Sequence, residues 1–116
     1  MALDLKSGQA LALWNHSMLD LVKQDDSGLT LRQLAILLTV YLELPPHTVR
    51  GLAERLDVAK PVISRALDTL GRQELILRKR DPSDRRNVLV QRTVKGALFV
   101  ENLGDIMITH AKQLIV

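Results

Sequence analysis

The sequence contains no cysteine and only three aromatic residues, and each scarcity excludes a class of protein. Without cysteine, the chain cannot form a disulfide scaffold, a cysteine-ligated zinc site or a thiol redox sensor. With aromatics at 3% of the chain, recognition of nucleic acid by stacking bases on an aromatic platform is disfavoured. Twenty-three leucines favour a helical core over a β-sandwich, because strands are enriched in aromatic and β-branched side chains.

Membrane segments and enzyme motifs are also missing from the sequence. No stretch approaches the roughly 18 consecutive apolar residues that span a bilayer. The N-terminus lacks the apolar segment of a secretory signal, so we expect a cytoplasmic protein without a membrane partner. His16, His47 and His110 have no metal-ligand spacing, and the sequence holds no phosphate-binding loop, dinucleotide fingerprint or nucleophile elbow. We therefore expect no enzyme activity, no metal and no cofactor.

Positive charge is concentrated in the middle of this 116-residue chain, whose length suits one globular domain. Residues 1–28 carry a net charge of −2, residues 29–72 carry +2, residues 73–93 carry +3, and residues 94–116 are neutral. A localised basic segment is typical of nucleic-acid binding, although a solvated basic face has the same composition.

Apolar periodicity predicts two helices in the first third of the chain. Residues 4–23 have one apolar stripe at helical spacing. Residues 31–43 are apolar on almost every side, which is typical of a helix in the middle of a domain. Thr30 and Gln33 form a capping box ahead of this second helix, because each side chain can satisfy a free backbone N–H at the helix start.

Two short helices are predicted next. Thr48 is placed to cap a helix that runs to residue 56, and a tight connection over residues 57–60 leads into another helix. Pro61 falls in the first turn of that helix, where its missing backbone N–H costs little. The helix continues to about residue 72, and its core positions are Ile63, Ala66, Leu67 and Leu70.

The periodicity changes beyond the second short helix. Residues 75–80 and 88–92 are predicted strands, and the charged, turn-rich segment 81–87 joins them as a β-hairpin. Thr93 then caps a last helix that can continue to residue 115. Two short helices joined by a tight turn and followed by a hairpin form a winged helix-turn-helix.

The segment from residue 48 to residue 70, TVRGLAERLDVAKPVISRALDTL, resembles the helix-turn-helix of the MarR family of bacterial transcription regulators. The resemblance extends over residues 29–96. Asn87 and Arg92 depart from the family's wing signature, where a small residue and a leucine are usual. Four residues match that signature at the family's spacing: Asp84, Arg86, Thr93 and Gly96.

The resemblance implies a fold that is mainly α with a small β-hairpin, in the α+β class. Within a single domain of residues 1–116, we expect a DNA-binding winged helix over residues 29–93. Residues 1–28 and 94–116 are expected to supply flanking dimerisation helices. Family members usually have a further C-terminal helix, which we do not expect in this chain.

A recognition helix over residues 60–72 places Arg65 and Asp68 on the side opposite its core positions. Arg65 is the strongest candidate for base reading, because a guanidinium can bond guanine O6 and N7 bidentately. Asp68 either accepts from cytosine or orients Arg65 or Arg72 in an intrahelical pair. The alternative for Arg65 is a solvated surface arginine. The predicted DNA contacts are Thr48, Arg50, Lys60, Pro61, Val62, Ser64, Arg65, Thr69, Arg85 and Arg86.

The wing over residues 81–87 carries two adjacent arginines at its tip. An arginine on a hairpin tip can enter the minor groove, where the potential is most negative. The resemblance assigns this role to Arg86, braced by Asp84. The alternatives are that Asp84 and Arg86 only stabilise the hairpin and that Arg85 is merely exposed.

The terminal helices contain more apolar residues than one small domain needs, which predicts pairing with a second copy of the chain. The alternative is packing within the monomer. A two-fold dimer places two recognition helices about one DNA turn apart, roughly 34 Å, and so reads a pseudo-palindrome. The predicted dimerisation residues are Leu11, Trp14, Met18, Leu103, Met107 and Leu114.

These observations predict a dimeric, sequence-specific regulator that binds double-stranded DNA in the bacterial cytoplasm, associated with the nucleoid, and acts as a repressor. The resemblance implies a small aromatic or phenolic effector that binds between the dimerisation helices and the winged helix. The alternative is a winged helix that binds protein partners or assembles a complex, with DNA binding secondary or absent.

Overall fold

The computed structural model describes residues 4–24 and 28–114, which form five helices and three short strands. Two compact units are present: residues 29–100 form one, and described residues from 1–28 and 101–116 form the other. The mainly α fold with a small β component is confirmed. The elements in chain order are α1 (Ser7–Gln24), α2 (Leu31–Leu42), β1 (His47–Thr48), α3 (Val49–Leu56), α4 (Lys60–Arg72), β2 (Ile76–Arg80), β3 (Val88–Arg92) and α5 (Val94–Leu114).

The predicted capping box begins α2, the central helix of the 29–100 unit. The hydroxyl of Thr30 accepts from the backbone N–H of Gln33 at 3.1 Å, and the Gln33 side chain accepts from the Thr30 N–H at 2.8 Å. Ile36, Leu37 and Val40 are completely buried. The helix therefore supplies the middle of the core, as its nearly all-apolar sequence predicts.

The helix-turn-helix packs against this core through both of its helices. Thr48 caps α3 by accepting from the Gly51 N–H at 2.9 Å. Asp57 takes the left-handed conformation at the end of α3, with φ of 56°, and so turns the chain sharply into α4. The fully buried side chains of α4 are the predicted ones: Ile63, Leu67 and Leu70, with Ala66 beside them.

The sheet has three strands instead of the predicted two. His47 and Thr48 form β1, which pairs antiparallel with β3, so the strand order is β1-β3-β2. A two-residue strand is too short to show an alternating pattern, and it exists because β3 offers a free hydrogen-bonding edge. In the predicted hairpin, Ile76 lies opposite Arg92 and Arg80 lies opposite Val88.

One tyrosine hydroxyl joins α2 to both ends of the hairpin. The Tyr41 oxygen lies 2.7 Å from the carbonyl of Leu75 and 3.1 Å from the carbonyl of Thr93, and it accepts from the Thr93 N–H at 2.9 Å. Thr93 also caps α5, because its hydroxyl accepts from the Gly96 N–H at 2.9 Å. The last residue before β2 and the first after β3 are therefore held at the same point.

In the second unit, side chains of α1 meet side chains of α5. The Asp20 carboxylate lies 2.5 Å from Nε2 of His110, and the Gln24 amide oxygen accepts from Asn102 at 3.3 Å. The His16 and His110 rings are 5.4 Å apart. Among the described helices, none combines the length and apolarity needed to cross a bilayer. No three His, Cys, Asp or Glu side chains of the described residues are grouped as metal ligands.

We predict that Gly96→Ala lowers the free energy of unfolding by about 1–3 kcal/mol. A Cβ at this position would overlap the Tyr41 hydroxyl and the Leu75 carbonyl, so the junction must move apart. The matched control is Gly104→Ala in the same helix, where a Cβ meets nothing within 4 Å. The control is expected to gain up to about 1 kcal/mol through helix propensity. Urea unfolding of both variants measures the difference, and equal effects would contradict the prediction.

Candidate nucleic-acid interface

Helix α4 presents an apolar side to the core and a polar side to solvent. Lys60, Pro61 and Arg65 are exposed, and the predicted contacts beside them are partly exposed: Val62, Ser64 and Thr69. No side chain caps the helix at Ala59; Pro61 has no backbone N–H, and the Val62 N–H donates to the Ala59 carbonyl at 3.0 Å. The exposed side therefore presents two cations, Lys60 and Arg65, which suit an anionic partner.

Arg65 has no carboxylate partner among the described residues. Its Nε donates to the carbonyl of Pro61, one turn earlier in the same helix, at 3.3 Å. That distance is at the long end for an N–H···O bond, so the interaction is weak. The guanidinium is thus available to bind an external acceptor.

Of the two alternatives for Asp68, the intrahelical pair with Arg65 or Arg72 is not formed. The Asp68 carboxylate lies 2.7 Å from the Arg78 guanidinium on β2, and Arg72 donates to the Thr69 hydroxyl at 3.3 Å. Arg78 reaches α4 because side chains alternate along a strand: it shares the face of Ile76, which is buried. The contact joins a helix to a strand, so the spacing of residues within α4 could not reveal it.

Two predicted contacts lie at the start of the helix-turn-helix. The Thr48 hydroxyl accepts the capping hydrogen bond from the Gly51 N–H, and Arg50 is exposed in the first turn of α3. Arg50 and Lys60 line the same depression at the turn between α3 and α4. The turn thus brings together two cations that lie ten positions apart in the sequence.

An ion pair fixes α3 against the end of α2. Arg55 donates to both carboxylate oxygens of Glu43, at 3.2 and 3.0 Å. The hydrogen bond from Arg55 lowers the pKa of Glu43, and the same bond raises the pKa of Arg55. Arg55 therefore has a structural partner and was not among the predicted DNA contacts.

The wing turn is organised by aspartates that accept from local donors. Asp81 accepts from the Ser83 N–H at 2.9 Å and from the Ser83 hydroxyl at 2.7 Å, and these bonds lower the pKa of Asp81. The Arg80 guanidinium donates to the backbone carbonyl of Arg85 at 2.8 Å. The turn is consequently held by its own side chains and not by the core.

The two arginines at the wing tip point their charge into solvent. Arg86 donates through Nε to Asp84 at 3.3 Å, and its side chain is still 89% exposed. Its backbone N–H donates to the same carboxylate oxygen at 3.1 Å. Arg85 is exposed, and within the described residues its side chain has no ion-pair partner. Asp84 is thus in contact with Arg86, while both guanidinium groups remain accessible.

Arg92, where the family usually has leucine, has a structural function that sequence reasoning missed. Its guanidinium donates to the carbonyl of Val40 at 2.8 Å and to the carbonyl of Glu43 at 3.0 Å. These carbonyls belong to the last turn of α2 and its cap, where no intrahelical N–H is available. Arg92 satisfies them and therefore secures β3 to the end of α2.

Arg32 is a second residue that the sequence reasoning missed. It is exposed in the first turn of α2, between the two residues of the capping box, Thr30 and Gln33. It lines a shallow groove together with residues of α4 that were predicted to contact DNA: Val62, Arg65 and Thr69. An arginine in the first turn of a predicted helix was the only available signal, and it does not say which other helix lies beside it.

A family model described as the MarR family matches residues 29–88 of the sequence, more than half of the chain. The chain belongs to the MarR family. Its resemblance to the helix-turn-helix and wing of these transcription regulators is therefore confirmed. No curated protein gives a significant match.

Solved structures of MarR-family regulators have the same fold. The transcriptional regulator Tm0710 from Thermotoga maritima has a TM-score of 0.77 at 24% identity, over 90% of this chain and 71% of that one. A structure titled MarR has a TM-score of 0.69 at 26% identity, covering 97% and 81% of the two chains. The complex of S. aureus MepR with DNA has a TM-score of 0.75 at 24% identity, covering 90% and 86%.

In this MarR-family chain, the predicted dimerisation residues are unequally exposed. Leu11 is 65% exposed, Trp14 and Met18 are exposed on the same helix, and Met107 is 37% exposed. Leu103 is instead buried within its own chain. Leu114 is partly exposed. Further exposed apolar residues of the same unit, outside that predicted set, are Leu19, Val22 and Ile108.

Proposed function

We propose that this MarR-family chain is a dimeric, sequence-specific regulator that binds double-stranded DNA and acts as a repressor. The observation that carries the proposal is the exposed side of α4. It presents Arg65 without a carboxylate partner among the described residues, while the carboxylate of Asp68, three positions later in the same helix, pairs with Arg78. A helix with this surface fits the major groove of B-DNA.

Each exposed residue of α4 has a chemistry that matches one part of the groove. Arg65 is assigned to a guanine, because its fork of N–H donors matches O6 and N7. The Pro61 ring and Val62 are assigned to thymine methyl groups, and Lys60 and Ser64 to phosphates. Thr69 follows along the same side. At the start of α3, Thr48 and Arg50 are assigned to a further phosphate.

The wing is assigned to the minor groove. Arg86 lies at the tip with an almost fully exposed guanidinium, and Asp84 restricts it through one hydrogen bond. A narrow minor groove attracts arginine because its negative potential is enhanced. Arg85 is assigned to the adjoining backbone. The MepR–DNA complex supports DNA binding by the shared fold.

A homodimer accounts for the apolar surface of α1 and of the second half of α5. Leu11, Trp14, Met18 and Met107 are large apolar side chains that remain exposed in a single chain, and exposed apolar surface on neighbouring positions of a helix is typical of a protein interface. A two-fold axis would align two copies of α4 with a pseudo-palindromic operator. A small aromatic or phenolic acid as effector rests on the family resemblance alone.

Selection of bound duplexes from a random pool tests the proposed function directly. We expect a two-fold symmetric motif whose half-sites lie one helical turn apart, with affinity that falls steeply as salt rises because counterions are released. A single, asymmetric site would contradict the dimeric assignment. Binding that does not depend on sequence or on salt would contradict the proposed function and favour a winged helix that binds protein partners.

We predict that Arg65→Ala costs about 1–3 kcal/mol on the selected site and relaxes base preference at one position of each half-site. The reason is the loss of a bidentate contact to guanine. Lys112→Ala, which removes one exposed positive charge near the end of α5, is the control and is expected to leave base preference unchanged. Equal weakening of specific and random duplexes by Arg65→Ala would identify Arg65 as a phosphate contact instead.

We predict that Arg86→Ala weakens binding by about 1 kcal/mol without unfolding the protein. Its guanidinium is exposed and makes one long hydrogen bond, so its removal leaves the hairpin intact. Affinity is measured by fluorescence anisotropy and stability by thermal denaturation. Arg80→Ala is the structural comparison, because Arg80 donates to the wing backbone. A large drop in the melting temperature of Arg86→Ala would show that Arg86 stabilises the hairpin.

A further inference from the structure

The ion pair between Asp68 and Arg78 lies beside the residue assigned to base reading. Asp68 occupies α4 three positions after Arg65 and four before Arg72, so both arginines are its neighbours on the helix surface. Its carboxylate is nevertheless held by Arg78 at 2.7 Å. Neither Arg65 nor Arg72 donates to it: Arg65 bonds Pro61, and Arg72 bonds Thr69.

Arg78 is directed to this position by the sheet. In the antiparallel register it lies opposite Val90, and directly opposed residues share one face of a sheet. Val90 is buried, as is Ile76 two positions before Arg78, so this face is the one that packs on the core. The side chain of Arg78 is 36% exposed and that of Asp68 is 49% exposed. The pair thus lies at the edge of the core, partly shielded from water.

We propose that Arg78 is a positioning residue for base recognition. It pairs with the Asp68 carboxylate and thereby leaves the Arg65 guanidinium free to bind a base. Without Arg78, the Asp68 carboxylate would be unpaired and the free guanidinium of Arg65 would lie one helical turn away. An intrahelical pair would then compete with the bidentate contact to guanine, and an uncompensated carboxylate would face the phosphates. This inference rests on the proposed function and deepens it, because it assigns the specificity of Arg65 partly to a wing strand.

The proposal separates two roles that one arginine near DNA can have. A phosphate contact weakens binding to every sequence and lowers the salt slope by about one when it is removed. A positioning residue that controls Arg65 changes discrimination between sequences and leaves the number of phosphate contacts unchanged. The two roles are therefore distinguished by the salt slope and by the discrimination between sequences. A general loss of stability would not produce either pattern.

The test measures affinity of the full chain for its selected duplex and for a duplex altered only at the guanine assigned to Arg65, across a range of salt. Four proteins are compared: the natural chain, Arg78→Met, Asp68→Asn and the double variant Asp68→Asn/Arg78→Met. Methionine keeps most of the apolar stem of arginine and removes its charge. Thermal denaturation of each protein checks folding, and Arg78→Gln, which also removes the charge, serves in place of the methionine variant if that variant unfolds.

We expect Arg78→Met to lose discrimination by about twofold, the size of an exposed intrahelical ion pair, with an unchanged salt slope. The double variant is expected to regain discrimination, because the competing carboxylate is gone. Asp68→Asn alone is expected to keep the discrimination of the natural chain. If Arg78→Gln is used, the same loss of discrimination is expected, since glutamine offers Asp68 no cation.

Three results would overturn the inference. A salt slope lowered by about one in Arg78→Met, without recovery in the double variant, would make Arg78 a phosphate contact. Unchanged discrimination in Arg78→Met would remove its influence on Arg65. Altered base preference in Asp68→Asn alone would mean that Asp68 reads a base itself. If the natural chain shows no preference for any duplex, the proposed function fails as well, whereas the other outcomes leave that function standing.

Discussion

The hydrogen bonds of the Tyr41 hydroxyl fix the winged helix at one point. From the last turn of α2, this oxygen contacts backbone atoms of Leu75 and Thr93, the residues that flank the hairpin on either side. Gly96 leaves the space for this contact, since a side chain there would occupy the position of the hydroxyl. Because the base of the wing is held in this way, its strands can carry many charges without depending on a core of their own.

Half of the six basic residues in the wing region, residues 73–93, have structural partners within the fold. Arg92 satisfies carbonyls at the end of α2, Arg80 holds the wing backbone, and Arg78 neutralises Asp68. Arg86 keeps an exposed guanidinium beside Asp84. The high positive charge of residues 73–93 therefore overstates the number of cations that a phosphate backbone can meet. What remains is a small number of arginines with defined surroundings, which favours specific over purely electrostatic binding.

Local patterns predicted most of the fold because local interactions form most of it. The capping box at Thr30, the cap at Thr48 and the core spacing of α4 are each decided within a few residues. The strand β1 escaped prediction because two residues have no period. Leu103, a predicted dimerisation residue, is buried within its own chain, and an apolar residue on a predicted helix shows the same pattern whether its own chain or a second one covers it.

The sequence by itself determined the order of the elements, the MarR-family resemblance and which side of α4 is apolar, since these depend on spacing and residue type along the chain. Only the tertiary structure decided which charges are already paired. The sequence left open whether Asp68 accepts from cytosine or pairs within its helix, and in the structure its carboxylate pairs with a residue of β2. Arg92 looked like a departure from a motif, and it completes the end of a helix some fifty residues earlier. Ion pairs and caps between distant elements depend on three-dimensional proximity, which helical and strand periods do not encode.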